Sequence, residues 1–517
     1  MVQLLPVTAK TTLKRAGRRE WLSLIVLTLA VVLLAVDGTV LVLAIPALTA
    51  DLLPTATQVL WAGDIYSFML AGLLVTMGNL ADRIGRKKLL LIGSVGFGLT
   101  SVAAAFAPNP EVLILTRALL GVFGATIMPS TLSILRNMFE DPRQRASAIA
   151  VWAAGATGGA AVGPLVGGAL LENFWWGSAF LINVPVMILV VVCGILLLPE
   201  SRNPAGQRID MASAVLSVAT IIPIVYAIKH AASDGIGLSV AVTAVIGLVA
   251  GVMFLRRQRR LEHPLVDISL FRVPAFAGAV AAETIAVFAF IGLLFFFSQY
   301  LQLVRGLSPL QAGLVELPAT IASMLVIAIA AAVLTRLGRG RAIAVSMIVS
   351  ASGLALLAVA EHTPGYWLLC AALSICGLGA GLSMTLSTDA VVGAVPKERA
   401  GAASSVSETA YELGVALGIA VLGSLHNVLY RTHLDLPAGL PDQVRSAFHD
   451  SLATGAAIAA QTGDQLAAIM EAAKDAFTES MQVTSLVAAA LLLVASAVAW
   501  RLIPSTKEVD PPHDRHH

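Results

Sequence analysis

Gly78-Asn79-Leu80-Ala81-Asp82-Arg83-Ile84-Gly85-Arg86-Lys87-Lys88 ends one apolar run and starts the next. In the same register, 253 residues later, Ala331-x3-Thr335-Arg336-Leu337-Gly338-Arg339-Gly340-Arg341 does so again. A basic turn repeated between paired apolar runs marks two related halves. Outward from both turns, apolar stretches of about 20 residues follow one another along nearly the whole chain. Each is long enough to cross a hydrocarbon core of about 30 Å as a helix. Of the 517 residues, 57% are hydrophobic and 12% charged, with mean hydropathy +0.86; soluble domains carry roughly 25% charged residues. Strand-like alternation is missing, which excludes a β-barrel.

Fourteen spans are expected, at 21–47, 59–80, 88–107, 111–134, 147–171, 178–198, 211–229, 236–255, 275–303, 310–334, 341–360, 366–391, 401–429 and 482–503. The first six and last six form the repeat, with two helices inserted between them. The chain is therefore an all-α membrane protein. Its expected parts are a cytoplasmic N-terminus (1–20), a six-helix bundle (21–198), two inserted helices with a linker (199–272), a second six-helix bundle (273–503) and a cytoplasmic tail (504–517). The second bundle carries a long extracellular loop at 430–481, expected to form short amphipathic helices with solvated charges. The run Trp21–Leu48 exceeds the roughly 7–15 apolar residues of a signal peptide and reads as a retained helix.

With the N-terminus inside, the inner segments hold 27 of the 33 Lys and Arg. Five (Lys229, Arg305, Arg431, Arg445, Lys474) fall in outer loops, and Arg117 alone lies within a span. This bias puts both termini in the cytoplasm. The net charge of +2 decides nothing, because distribution outweighs sum. Arg256, Arg257, Arg259 and Arg260 at the end of the eighth span suit anionic lipid headgroups. Cys193, Cys370 and Cys376 read as small core residues.

Against this apolar background, acids inside spans stand out. Glu408 and Glu412, four residues apart, share one helix face. At about 1.5 Å rise per residue, Asp37, Asp64 and Arg117 all reach roughly 8–10 Å below the outer edge of the hydrocarbon core. One Arg cannot neutralise Asp37, Asp64, Glu408 and Glu412 together. Acids left over are protonated in one state and anionic in another, as a proton/cation exchanger requires. Glu316, before Pro318, and Glu283 read equally as site acids or as hydrogen-bonding groups at a helix interface. Asp389 lies at an inner end and reads as solvated. Aromatic rings near acids offer a wall for a lipophilic cation; Tyr66, Tyr411 and Trp61 are the best placed, whereas lipid-facing packing is the expected fate of Phe295, Phe296, Phe297 and Tyr300.

These motifs resemble the major facilitator superfamily, and within it the fourteen-helix drug:proton antiporters that export quaternary ammonium antiseptics and dyes. The resemblance runs essentially end to end. Gly78-x3-Asp82-Arg83-x-Gly85-Arg86 matches the superfamily signature after the second span; it implies that Asp82 caps a neighbouring helix and that the basic residues hold an inner gate. Ile114-x2-Arg117-x3-Gly121-x2-Gly124 matches the fourth-span motif whose Arg is associated with proton coupling. Gly159-x3-Gly163-Pro164-x2-Gly167-Gly168 matches the fifth-span motif of the family's exporters, where glycines permit close helix contact and Pro164 removes a donor. Asp37-x-Thr39-Val40, Trp61-x2-Asp64-x-Tyr66-Ser67 and Ser405-x2-Glu408-x2-Tyr411-Glu412 match the first, second and thirteenth spans. Val42 departs from a common Asn, and Ser407 from an acid that some relatives carry. Some relatives also carry an acid at the position of Ser323, which Glu316 is expected to replace in part, in the outer vestibule.

The expected function is proton-coupled export of lipophilic monovalent and divalent cations across the cytoplasmic membrane. The expected partners are those cations, protons and the lipid bilayer, with no nucleic acid and a monomer as the working unit. G-x4-G-K-[ST] is absent, as are nucleophile–base pairs and metal-ligand clusters, so neither an enzyme nor a cofactor is expected. The runner-up is an exporter of an endogenous metabolite, lipid or siderophore. A membrane sensor that binds cations without moving them is a third reading.

Overall fold

The computed structural model describes residues 15–202, 210–233, 235–262, 264–395, 400–437, 439–462 and 466–505. Its helices are α1 (Arg18–Leu52), α2 (Ala56–Ile84), α3 (Arg86–Ala105), α4 (Pro110–Met138), α5 (Pro142–Asn173), α6 (Ser178–Leu181), α7 (Asn183–Leu197), α8 (Met211–Ser233) and α9 (Leu238–Gln258). They continue as α10 (Pro274–Gln299), α11 (Pro309–Leu337), α12 (Arg339–Ala360), α13 (Trp367–Gly393), α14 (Ala400–His433), α15 (Asp442–Asp450), α16 (Leu452–Thr462) and α17 (Ala467–Leu502). Among the described residues, fourteen helical segments are long and apolar enough to cross a membrane, α6 and α7 together making one. No strand occurs among the described residues.

Helix starts follow local chemistry. Thr55 accepts from Gln58 N–H while the Gln58 side chain accepts from Thr55 N–H, and Ser308 with Gln311 does the same for α11, each a reciprocal cap of orphan donors. Asn109 and Asp141 cap α4 and α5 ahead of Pro110 and Pro142, whose missing N–H costs nothing there.

The repeated turns take the same shape. Gly85 (φ 114°) separates α2 from α3 and Gly338 (φ 74°) separates α11 from α12, a left-handed backbone that favours glycine. Each turn packs on the segment after the sixth helix of its own half. Arg86 N–H donates to Ser201 O at 3.0 Å, and Arg341 N–H donates to Ser505 Oγ at 3.1 Å. One core joins Leu27, Phe97, Phe139 and Phe180; another joins Phe276, Phe297, Tyr300 and Phe448. Two six-helix bundles result, with α8 and α9 inserted between them in sequence.

The bundles are drawn together at the ends of the helices remote from Arg18, called here the far side. A Cβ on Gly168 of α5 would lie 2.6 Å from Leu310 Cα of α11, and one on Gly313 2.5 Å from Pro164 O. Further along α5, a Cβ on Gly158 would find only Met324 Cε, at 3.9 Å. Gln302 donates to Leu43 O at 3.1 Å. Ala56 N–H, which opens α2, donates to Asp450 Oδ2 at 3.0 Å. Asp450 Oδ1 stands 3.6 Å from Arg431, which donates to Ser233 O at 3.1 Å. This seal is built partly from the 430–481 segment, where α14 and α17 extend further than expected and flank α15 and α16. Asp450 and Arg431 therefore depart from the expectation that the charges there are solvated.

Candidate functional site

The first group lies inside the N-terminal bundle. Arg117 of α4 places Nη1 2.9 Å from Asp37 Oδ2 of α1, with 1% of each side chain exposed. Asn183 at the start of α7 donates to Asp37 Oδ1 at 2.7 Å. Arg117 Nε also donates to Ala62 O at 3.2 Å, and its guanidinium lies over the Tyr66 ring, 4.7 Å from the centroid. A charge pair taken from water needs such bonds on its remaining polar atoms. Both carboxylate oxygens of Asp37 are thus engaged.

A second group crosses to the C-terminal bundle. Glu412 of α14 lies within reach of the Ser67 hydroxyl of α2 and in the field of Glu408, one turn away. Tyr66 stands in the fields of both Asp37 and Glu412. Tyr411 feels Glu412, Glu408 and Glu283. Glu283 of α10, buried, accepts from Ser407 Oγ at 2.6 Å and from Thr388 Oγ1 at 2.9 Å. Glu408, Tyr411 and Glu412 remain partly exposed. A row of groups within one another's fields runs from Arg117 and Asp37 inside the N-terminal bundle through Tyr66 to Glu412, Glu408 and Glu283 of the C-terminal bundle. Ser407 supplies a donor to Glu283. Among the described residues, Glu283, Glu316, Glu408 and Glu412 have no basic partner at ion-pair distance.

Asp64 is elsewhere. It lies on the face of α2 turned toward α8, where Lys229 Nζ is 2.6 Å from Asp64 Oδ2 and neither side chain is exposed. The ammonium also sits over the Trp61 ring, 3.7 Å from its centroid. This corrects two expectations. Lys229 is not in an outer loop, since α8 continues to Ser233, and Arg117 is not the sole base within a span. In the sequence alone this charge marks a helix end; burial against Asp64 keeps it inside.

Glu316 is buried beside Ser298, and its Oε1 has no hydrogen-bond partner; it does not open onto a far-side vestibule. Ser323 bonds Thr320 O within its own helix and faces Gly381 of α13. Val42 packs against the C-terminal core. Phe295, Phe296, Phe297 and Tyr300 lie in the C-terminal core, covered by helices of their own bundle, which corrects the expectation that they face lipid; Trp61 serves Lys229.

The signature turn also differs from its implied roles. Asp82 accepts from Arg86 Nε at 2.8 Å and bonds no described helix terminus. It is Lys87 that caps a neighbour, donating to Ile195 O at 2.8 Å and Leu198 O at 2.9 Å at the end of α7. Arg83 is exposed, and Gly78 faces Pro129 of α4. Asp389 is half exposed, 3.4 Å from Arg339. In the fifth-span motif, Gly159 sits against Val32, Gly163 against Thr39 and Gly167 against Val40 of α1, whereas Gly168 faces α11. The motif thus serves two seams, one within a bundle and one between bundles.

Sequence reasoning missed Lys229, Asn183 and the hydroxyls of Ser67 and Thr388. Lys229 carried a signal: Ile221, Val225 and Lys229 share a helical stripe, so the apolar face runs on through the charge.

The model of the Major Facilitator Superfamily matches residues 27–419. The chain belongs to the major facilitator superfamily. It is 44% identical over 492 residues to the multidrug efflux pump LfrA of Mycolicibacterium smegmatis, with 95% of this chain and 97% of that one covered. It is 36% identical to the methyl viologen resistance protein SmvA of Salmonella typhimurium, covering 93% and 98%. It is 33% identical to the tetracenomycin C resistance and export protein of Streptomyces glaucescens, covering 93% and 91%. In fold it resembles a bacterial homologue of the human lysosomal transporter Spinster in an inward-facing, unoccupied conformation, with TM-score 0.64, 19% identity, and 93% and 98% covered. The chain is a multi-pass membrane transporter, not an enzyme.

Proposed function

We propose that the chain exports lipophilic monovalent and divalent cations, among them quaternary ammonium antiseptics and dyes, in exchange for protons. Its place in this reading is the cytoplasmic membrane, with both termini inside, so that the bundles are closed outward and the acid row is reached from the cytoplasm. The observation that carries the reading is the group of acids without basic partners where the bundles meet, Glu408 and Glu412 being partly exposed. An anionic carboxylate there holds a cation; protons arriving from outside neutralise the counter-charge and release it. The neutral site then returns, consistent with alternating access around a midplane site between halves. Asp37 with Arg117, facing Glu412 through Tyr66, relays the state of one bundle to the other. The Salmonella relative's name, resistance to the dication methyl viologen, supports a cationic substrate class.

The test is efflux of ethidium from energised cells that carry the chain. Efflux above control cells, collapsed by a protonophore, is expected; efflux that survives the protonophore with ATP still present contradicts the reading. A second reading, export of a compound made by the cell itself, is supported by the tetracenomycin-exporting relative. Growth dependence on the chain in the presence of one natural product, without broad cation resistance, would favour it.

A further inference from the structure

Asp64 and Lys229 form a buried pair that the exchange described above does not use. Trp61, Asp64 and Phe68 stand on one face of α2; Ile221, Val225 and Lys229 stand on the facing side of α8, and Phe68 and Val225 join Ala416 and Ala420 of α14 in a small apolar cluster separate from both bundle cores. An aromatic face beside a carboxylate is an arrangement that recognises a lipophilic ammonium. Here its occupant is the chain's own lysine, at 2.6 Å from Asp64 and 3.7 Å from the Trp61 centroid.

We propose that Lys229 withholds Asp64 from substrate and fastens the two inserted helices to the N-terminal bundle, so that α8 and α9 move with α2 during transport. Among the described residues α8 packs on both α2 and α14, Val225 meeting Phe68 of one and Ala416 and Ala420 of the other, and two polar links differ between the sides. One is the buried ion pair to α2. The other is the single bond from Arg431 of α14 to Ser233 O, in a partly exposed setting. When the bundles separate there, α2 parts from α14 and α8 must follow one of them. Splitting the pair strands two charges without solvent; releasing the Arg431 bond leaves groups that water reaches. The weaker link opens. Lys229 is on this account a positioning residue, and α8 is a member of the N-terminal body rather than a bridge between bundles. The inference extends the transport reading but does not depend on which ion drives it.

Ethidium efflux with Asp64→Asn, Lys229→Gln and the double variant tests the proposal. Each single change strands one buried group and should cut efflux at least about tenfold; the double change removes both charges and should restore it to within about threefold of wild type. A double variant present in the membrane at wild-type amount yet no better than Asp64→Asn would overturn the proposal, as would either single variant with full efflux. A lock covers the case in which the neutralised variants fail to assemble. A Cβ on Gly72 would lie 3.9 Å from Val218 Cα, so Gly72→Cys with Val218→Cys, in a chain with Cys193, Cys370 and Cys376 replaced by Ser, is within disulfide range. Efflux retained after the bond has formed is the expected result. Efflux blocked by the bond, and restored by reductant, would show α8 moving against α2 and overturn the proposal; so would absence of the bond under oxidation.

Discussion

Arg117 Nη1 and Asp37 Oδ2 stand 2.9 Å apart, sealed between α4 and α1 with 1% of either side chain exposed. Removing one member of such a pair leaves the other uncompensated, at roughly 3–5 kcal/mol. Asp37→Asn and Arg117→Gln should each lower the thermal stability of the purified transporter by that order. Arg117→Lys should not repair it, because a point ammonium cannot serve Asp37 and Ala62 O together or stack on Tyr66. Unfolding midpoints in detergent check this.

Ser407 matters through Glu283. The hydroxyl donates at 2.6 Å to a buried carboxylate, a bond to a charged group worth roughly 1.5–3 kcal/mol. Ser407→Ala should reduce ethidium efflux at least threefold with little loss of protein from the membrane, and Ser407→Thr should retain most activity. Equal transport by Ser407→Ala and wild type would place Glu283 outside the cycle.

Gly168 is the far-side seam. A side chain there meets Leu310 backbone at 2.6 Å, and overpacking costs roughly 1–3 kcal/mol. Gly168→Val should therefore depopulate this conformation. Spin labels at the far ends of α5 and α11 should report a longer mean distance in the variant than in wild type; an unchanged distribution contradicts the closed seam.

The Asp210–Arg257 pair ties the start of α8 to the end of α9. Hydrogen bonds from Arg257 hold the Asp210 carboxyl down at about 2, from an ordinary 3.8. The sign follows from that depression: the contribution is complete above pH 4 and lost as pH falls toward 2. Because Arg257 is substantially exposed, solvent screening keeps that contribution small. Asp210 Oδ1 accepts from Ser213 N–H at 3.2 Å; Asp210→Asn keeps that cap on α8 but loses the charge, so its stability deficit should be the same at pH 6 and pH 8. Melting curves at the two values check it.

Much of the fold was legible because the cost of putting polar backbone in lipid leaves few options. The repeat at Gly78 and Ala331, the fourteen apolar runs and the α14 acids at spacing i, i+4 all followed from that constraint. Span ends were legible only where charge meant water. At Lys229 it did not: a lysine four residues before a helix end is read as solvated unless its partner on another helix is known. Asp64 was grouped with Asp37 on depth, yet rotation about the helix axis decides. Tyr66, two residues on, turns toward Arg117, and Asp64 turns toward α8. The same holds for Glu316, whose depth was readable and whose facing was not. Asn183 and Thr388 gave no sequence signal, since a lone amide or hydroxyl in a span serves equally well as a bond within its own helix.

On the proposed exchange, an unpaired carboxylate between the bundles changes hands between protons and cations, and Glu412 is the acid best placed to do so. In proteoliposomes with an imposed pH gradient as the only energy source, wild type should move ethidium against its gradient, and Glu412→Gln, inserted in equal amount and equally folded, should not. Transport by Glu412→Gln at the wild-type rate would contradict the account.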